Sequence, residues 1–150
     1  MNDINWHCHP FDELTTTQLY AVLALRSEVF VIEQACIFQD MDGFDGQAVH
    51  VLGIANGILV AYARCFNAGI KFDEASIGRV ATRRSARGSG VGHALMEKSI
   101  ACVCHQWGPQ IIRIGAQAYL EAFYCQHGFE KSGRMYCEDG INHIGMLRST

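Results

Sequence analysis

The sequence predicts an α/β fold of the mixed α+β kind, a central mixed sheet of about seven strands with helices packed on it. Three observations carry that reading. At 150 residues, with 49% hydrophobic and 18% charged side chains, the chain has the size and composition of a single domain, residues 1–150, with a full core. Short apolar, β-branched runs recur between turn signals. Longer segments between them repeat their apolar residues at helical spacing instead.

Alternation of Ile4, Trp6 and Cys8 with polar neighbours predicts a first strand ended by Pro10. Thr15 and Gln18 have the form of a capping box, and Leu19, Val22, Leu23, Val29 and Phe30 continue a helix to about Glu33. From 34 to 47 the pattern breaks into an acidic, glycine-punctuated loop or short irregular helix. Runs 49–55 and 58–66 flank Asn56-Gly57, the strongest short signal for a type I′ hairpin. A third run, 75–82, leads through Arg83-Arg84-Ser85-Ala86-Arg87 into a glycine loop. A helix follows with Leu95, Met96, Ile100, Val103 and Trp107 on one face, stopped by Gly108-Pro109. Then come a strand over 111–116, a short helix over 119–127 and a final strand pair over 129–137 and 143–147, turning at Asp139-Gly140.

Composition excludes several functions. Twelve Lys and Arg against fifteen Asp and Glu leave a net charge of -3, so no basic field exists for nucleic acid. The longest uncharged stretch, 46–63, is interrupted by Gln47, His50, Gly53 and Asn56-Gly57, which makes it a hairpin rather than a membrane span. No export signal is visible at the N-terminus, and the cytoplasm is the expected compartment. Seven cysteines without a Cys-x-x-Cys pair fit neither a zinc knuckle nor a disulfide framework, and are expected to be reduced and mostly buried. No metal is expected, since His7 and His9 share a strand face with no evident third ligand.

Arg87-Gly88-Ser89-Gly90-Val91-Gly92 sits between a predicted strand and a predicted helix. Glycines there let successive N–H groups approach an anion at the positive end of the helix, and Arg87 adds charge. His93 occupies the place of the third glycine of a dinucleotide loop, and no Lys-Ser or Lys-Thr completes a Walker A loop. A pyrophosphate clamp of another kind remains.

Arg87-x-x-Gly90-x-Gly92 resembles the acyl-CoA-binding motif of GNAT N-acetyltransferases, and Phe123-Tyr124-x-x-x-Gly128-Phe129 resembles their second signature. Further segments resemble the ElaA-like subfamily. They are Arg26-x-x-Val29-Phe30-Val31-x-Glu33-Gln34, Asp40-x-Asp42-Gly43, Tyr62-x-Arg64, Ile77-Gly78-Arg79-Val80, Gly115-Ala116-Gln117-Ala118 and His143-Ile144-Gly145-Met146. Nearly the whole chain is covered. One departure is Gln117, where many members carry asparagine; its longer amide offers the pantetheine arm the same donor and acceptor.

The resemblance implies a GNAT fold and an acyl-CoA N-acetyltransferase using acetyl-CoA, without a metal, on a small-molecule or peptide amine. It implies cofactor contacts from the backbone of Val80 and Thr82, from Arg87, Gly88, Ser89, Gly90, Val91 and Gly92, and from Gln117 and Phe123. Tyr124 is the implied general acid. For the base or acceptor side the candidates are Glu33, Asp42, His50 and His143. Glu33, at a helix end, calls for a compensating cation, either substrate or an arginine. Arg64 and Arg79 lie in apolar strands, Arg64 on a face with Tyr62 and Phe66, Arg79 with Ile77 and Ala81, and such charges require partners. Asp40, Asp42, Asp45 or Glu33 would serve, and so would a substrate carboxylate, with Asp42, Arg64 and Arg79 then binding substrate. The alternatives are a noncatalytic acyl-CoA sensor and an interaction module on the same fold; a homodimer through the exposed last strand pair is a further expectation.

Overall fold

The computed structural model describes residues 3–138 and 140–150, so Asp139 of the expected final turn lies outside the described residues. Its strands are β1 (Asn5–Pro10), β2 (Val49–Ala55), β3 (Ile58–Phe66), β4 (Ala75–Thr82), β5 (Ile112–Gln117), β6 (Phe129–Glu138) and β7 (Ile141–Arg148). They form one seven-stranded sheet in the order β1-β2-β3-β4-β5-β7-β6. All pairs are antiparallel except β4 with β5. The helices are α1 (Thr16–Arg26), α2 (Val91–Trp107) and the short α3 (Glu121–Cys125). The predicted mixed sheet is the observed one.

Local chemistry accounts for the turns and caps. Thr15 accepts from the Gln18 N–H at 3.0 Å while Gln18 accepts from the Thr15 N–H at 2.9 Å, the reciprocal capping box. Asn56 and Gly57 both take positive φ, 53° and 75°, as a type I′ turn requires. The first helix does reach Glu33, but Ser27–Glu33 is a wider π-helical turn. Such turns concentrate at functional sites, and this one places Glu33 at the central cleft.

The core lies on both faces of the sheet. On one, Val49, Val51, Ala63, Cys65 and Ile77 pack under Leu95, Met96 and Val103 of α2. On the other, Leu52, Tyr62 and Ala81 pack under Val22, Leu25, Val29 and Phe30. Two bulges break simple alternation. One, between Gly53 and Ile54, leaves Val60 as an extra residue on β3. The second leaves Arg79 and Val80 opposite Ala63 alone, since Tyr62 pairs with Ala81 and Arg64 with Gly78. Ile77 and Ala81 therefore join opposite faces, and the expected grouping of Arg79 with both is corrected.

Cysteine pairing is a second correction. Cys8 on β1 and Cys102 on α2 are joined as a disulfide, their Cα atoms 6.6 Å apart. Both were expected to be reduced. A contact between residues 94 apart in sequence arises only when α2 crosses the sheet, which spacing along the chain does not reveal.

Candidate active site

β4 and β5 pair only at Ala75 with Ile112 and Ser76 with Arg113. Beyond that they part, although β4 runs on to Thr82 and β5 to Gln117. The wedge between them opens into a cleft of about 840 Å³, lined on the β4 side by Ile77 to Thr82 and on the β5 side by Ile114, Gly115 and Gln117. Glu33, Asp42, Arg64, Arg79, Val80, Thr82, Arg87, Gln117, Tyr124 and His143 all line it. The fold thus gathers most of the expected site residues around one opening.

The second bulge shapes the middle of this cleft. Arg79 is held at φ 49°, a left-handed conformation that costs a non-glycine residue free energy and persists only where its surroundings enforce it. Its guanidinium lies 4.5 Å from the centroid of Phe30 and 5.7 Å from that of Phe38. On the opposite wall, Tyr136 reaches over Gly115. A Cβ there would lie 2.6 Å from the Tyr136 hydroxyl oxygen, so a larger residue would push the tyrosine out of its place over the strand. Tyr136 and Tyr119 line the cleft without having been singled out in the sequence. The isolated glycine within a predicted strand was the available signal.

Past Arg87, the one residue of the 87–92 motif that lines the cleft, Gly88 takes φ 90° and Gly90 precedes α2 at φ 83°. The first intrahelical bond runs from the Ala94 N–H to the Gly90 carbonyl at 3.1 Å, so the N–H groups of Val91, Gly92 and His93 lie ahead of the helical ladder. Nothing stands within 4 Å of a Cβ built on Gly88 or Gly90. Space, backbone donors and helix polarity coincide there, and they fit a pyrophosphate. Gly88, Ser89 and Val91 also line a second cavity, of about 430 Å³, floored by Ile4, Ile58 and Val60. Phe123 packs beside this helix start, its ring 4.7 Å from that of His93, and does not line the cleft.

Arg87 does not point freely at the loop. It donates to the Thr82 carbonyl at 2.7 Å and pairs with Glu33 at 2.8 Å. The cation that compensates Glu33 at its helix end is therefore Arg87.

The acidic loop is fixed by buried ion pairs. Arg26, wholly buried, donates to Asp40 at 2.6 Å and to Asp45 at 2.7 Å. Arg64 grips Asp42 with two 2.8 Å bonds and reaches Asp45 at 3.0 Å. Burial opposes the charge on Asp42, but the bonds from Arg64 and the Phe44 N–H prevail and hold its carboxyl below the usual range. Arg64 and Asp42 thus pair with each other, while the buried Nε of Arg64 is left without a partner among the described residues.

His50 departs from its expected place. It is fully buried outside the cleft, with Nδ1 2.6 Å from the Tyr62 hydroxyl and Nε2 3.0 Å from the Asp45 carbonyl. A neutral ring carrying its proton on Nε2 satisfies both partners, so no nitrogen is left for an acceptor. Burial is the main cause of its lowered pKa. Because the folded value lies below the unfolded 6.5, the unfolded chain takes the proton first. Stability is full above pH 6.5 and falls as the pH drops below it, by at most about 1.4 kcal/mol per pH unit for this one proton. His50→Gln is expected to reduce that slope in urea denaturation between pH 5 and 8, leaving the contribution of His127, whose pKa burial also lowers. An unchanged slope would mean that His50 titrates alike in both states.

His143 remains at the rim, its Nδ1–H donating to the Ile141 carbonyl at 2.8 Å, with its ring stacked on Tyr136 at 5.6 Å. Tyr124 is 6% exposed, and its ring meets Phe123 and Phe129 edge-on. Its hydroxyl has no hydrogen-bond partner among the described residues. Burial, reinforced by Tyr119, pushes its pKa up to about 12.

Comparison with known proteins places this architecture. The acetyltransferase (GNAT) domain profile matches residues 15–149. The chain belongs to the GNAT acetyltransferase family. It is 44% identical over 147 residues to the protein ElaA of Escherichia coli K12, covering 97% of this chain and 96% of that one. The crystal structure of E. coli ElaA superposes with a TM-score of 0.91, at 43% identity over 97% of this chain and 99% of that one. A Pseudomonas aeruginosa structure described as an acyl-CoA N-acyltransferase gives 0.93, at 40% identity over 98% and 100% of the two chains. An Elizabethkingia anophelis GNAT acetyltransferase with acetyl-CoA bound shares the fold at 14% identity, with a TM-score of 0.65 over the full length of both chains. Membership makes this GNAT chain an acyl-CoA-dependent acyltransferase and a transferase by class. No helix among the described residues is long and apolar enough to cross a membrane.

Proposed function

We propose that this GNAT protein transfers an acetyl group from acetyl-CoA directly to the primary amine of a small molecule or peptide. The observation that carries the reading is the parting of β4 from β5 directly beside the N-terminus of α2. Acetyl-CoA supplies an activated acyl thioester; the protein supplies position and proton control. The backbone of Val80 and Thr82, freed from β5, offers a strand edge along which a pantetheine arm pairs as an added strand, with the Gln117 amide across from it. The N–H groups of residues 90–92 take the pyrophosphate, and Arg87 lends charge from its place at Glu33. The bulge at Arg79 and Val80 turns backbone donors into the cleft at its centre, where a carbonyl oxygen gains charge during attack.

Tyr124 holds a proton at its hydroxyl for the departing sulfur. The acceptor enters from the opposite end, between the loop braced by Asp42 and Arg64 and the rim carrying His143. Glu33, held by Arg87, lines the cleft and is the carboxylate that receives the amine's proton through water.

Cofactor binding tests the clamp. Gly90→Val meets open space but forces a β-branched residue to φ 83°, closing the approach to the backbone donors. Arg87→Glu replaces a cation with an anion beside Glu33. Each is expected to weaken acetyl-CoA binding at least about tenfold in calorimetric titration, with the fold retained by circular dichroism. Wild-type affinity in both folded variants would remove the clamp. Mass-spectrometric screening of amine pools for an acetyl mass gain then separates an enzyme from a noncatalytic sensor.

A further inference from the structure

The arginines around the cleft are not equivalent. Arg64 spends its guanidinium on Asp42 and Asp45, and Arg87 spends its own on Thr82 and Glu33. Arg79 alone of the arginines on β3 and β4 makes no hydrogen bond to a described residue. Its nearest anion is Asp40, with Nε 3.5 Å from Oδ1. That oxygen is the counterpart anomaly. Asp40 is buried, its Oδ2 is taken by Arg26, and Oδ1 accepts no hydrogen bond from the described residues. A buried carboxylate oxygen without a donor is costly and calls for an explanation.

Resting on the transferase reading above, we propose that Arg79 is the specificity determinant of the acceptor site, and that it receives a carboxylate carried by the acceptor amine. The acceptor class is therefore free amino acids. The guanidinium packs against Phe30 and Phe38, Arg79 lines the cleft, and its terminal nitrogens are bonded to no described residue. A planar fork of this kind matches a carboxylate in two parallel bonds. The strained backbone of Arg79 is what turns this side chain off the strand and into the cleft. Asp40 is a positioning residue: its free oxygen stands ready to accept from Nε as the fork engages an anion. Of the other cations lining the cleft, Lys71 is shared with Asp42 at 3.4 Å and Arg84 lies past the end of β4, toward the glycine loop, so Arg79 meets its anion with a single charge, which suits a carboxylate better than a doubly charged phosphate.

The test is calorimetric titration of the full chain saturated with CoA, using proteinogenic L-amino acids, their matching α-carboxamides and phosphoethanolamine. At least one amino acid is expected to bind at least about tenfold more tightly than its carboxamide and than phosphoethanolamine. Arg79→Gln should erase that preference, while Arg79→Lys, which keeps the charge but loses the fork, should recover part of it; thermal melts confirm that both are folded. Equal binding of acid and carboxamide, no binding of any amino acid, or a preference that survives Arg79→Gln would overturn the proposal. Acetyl transfer read by mass on the same panel separates the two claims. Carboxamides acetylated as well as amino acids overturn the carboxylate role and leave the transferase. Discrimination in binding without any mass gain overturns the transferase and leaves the carboxylate role.

Discussion

Replacing Tyr124 by phenylalanine is expected to lower kcat for acetyl transfer by about 10² to 10⁴, with acetyl-CoA affinity nearly unchanged. The substitution keeps the ring and its edge-on contacts with Phe123 and Phe129, and deletes only a hydroxyl that serves no hydrogen bond among the described residues. Stability should therefore move by less than about 1 kcal/mol. Burial pushes the Tyr124 pKa up to about 12, so the group is a proton donor across the whole working range. An ordinary thiol, near 8.5, is the stronger acid by about three pH units. A bare thiolate would thus not strip the phenol outright; the proton moves as the carbon–sulfur bond breaks and negative charge builds on sulfur. Single-turnover kinetics on an acetylated amine, with a thermal melt on the same preparation, make the measurement. Wild-type turnover in Tyr124→Phe would assign protonation of the thiolate to water and leave Tyr124 as part of the pocket wall.

What the sequence made legible is what local chemistry decides. The Thr15–Gln18 box, the Asn56-Gly57 turn and the glycines before α2 each act within a few residues, and each stands where their patterns place it. Arg87, at the head of the 87–92 motif, and Tyr124 both line the cleft, whereas Gly88, Ser89 and Val91 line the second cavity beside it. Less legible were features set by partners distant in sequence. The bulge at Arg79 arises from a register mismatch with Ala63, and no pattern within β4 alone announces it. Arg87 meets Glu33 only because a π-helical turn and a strand end converge. His50 looked like a cleft residue at a strand opening, yet the partner that decides its fate, Tyr62, lies across the hairpin. Asp40 is expected from the sequence as one of four acids that could partner Arg64 or Arg79, and it does lie beside Arg79, but only the fold distinguishes its bonded oxygen from its unbonded one.

Arg26→Met is expected to destabilise the fold by about 3–5 kcal/mol at pH 7, the cost of removing one partner from a buried ion cluster. For a chain of this length that is a fall in melting temperature of roughly 10 °C. The reason lies less in the bonds lost than in what they leave behind. Asp40 and Asp45 remain buried beside the sheet, Asp40 with only the distant Arg79 and Asp45 with only Arg64 to offset its charge. Burial of Asp45 works against its charge, but its bond to Arg26 leads the effects that hold its pKa below 3.8. A depressed carboxyl contributes stability above its unfolded value and loses it as the pH falls through the folded one. The gap between wild type and Arg26→Met should accordingly narrow below about pH 4. Because Arg26 anchors the loop that closes the acceptor end, the folded fraction of the variant should also show a raised acceptor KM with little change in acetyl-CoA affinity. Urea denaturation at pH 7 and at about pH 3 decides the point: a loss under about 1 kcal/mol at pH 7, or a gap that does not narrow in acid, would mean that packing rather than charge holds the loop in place.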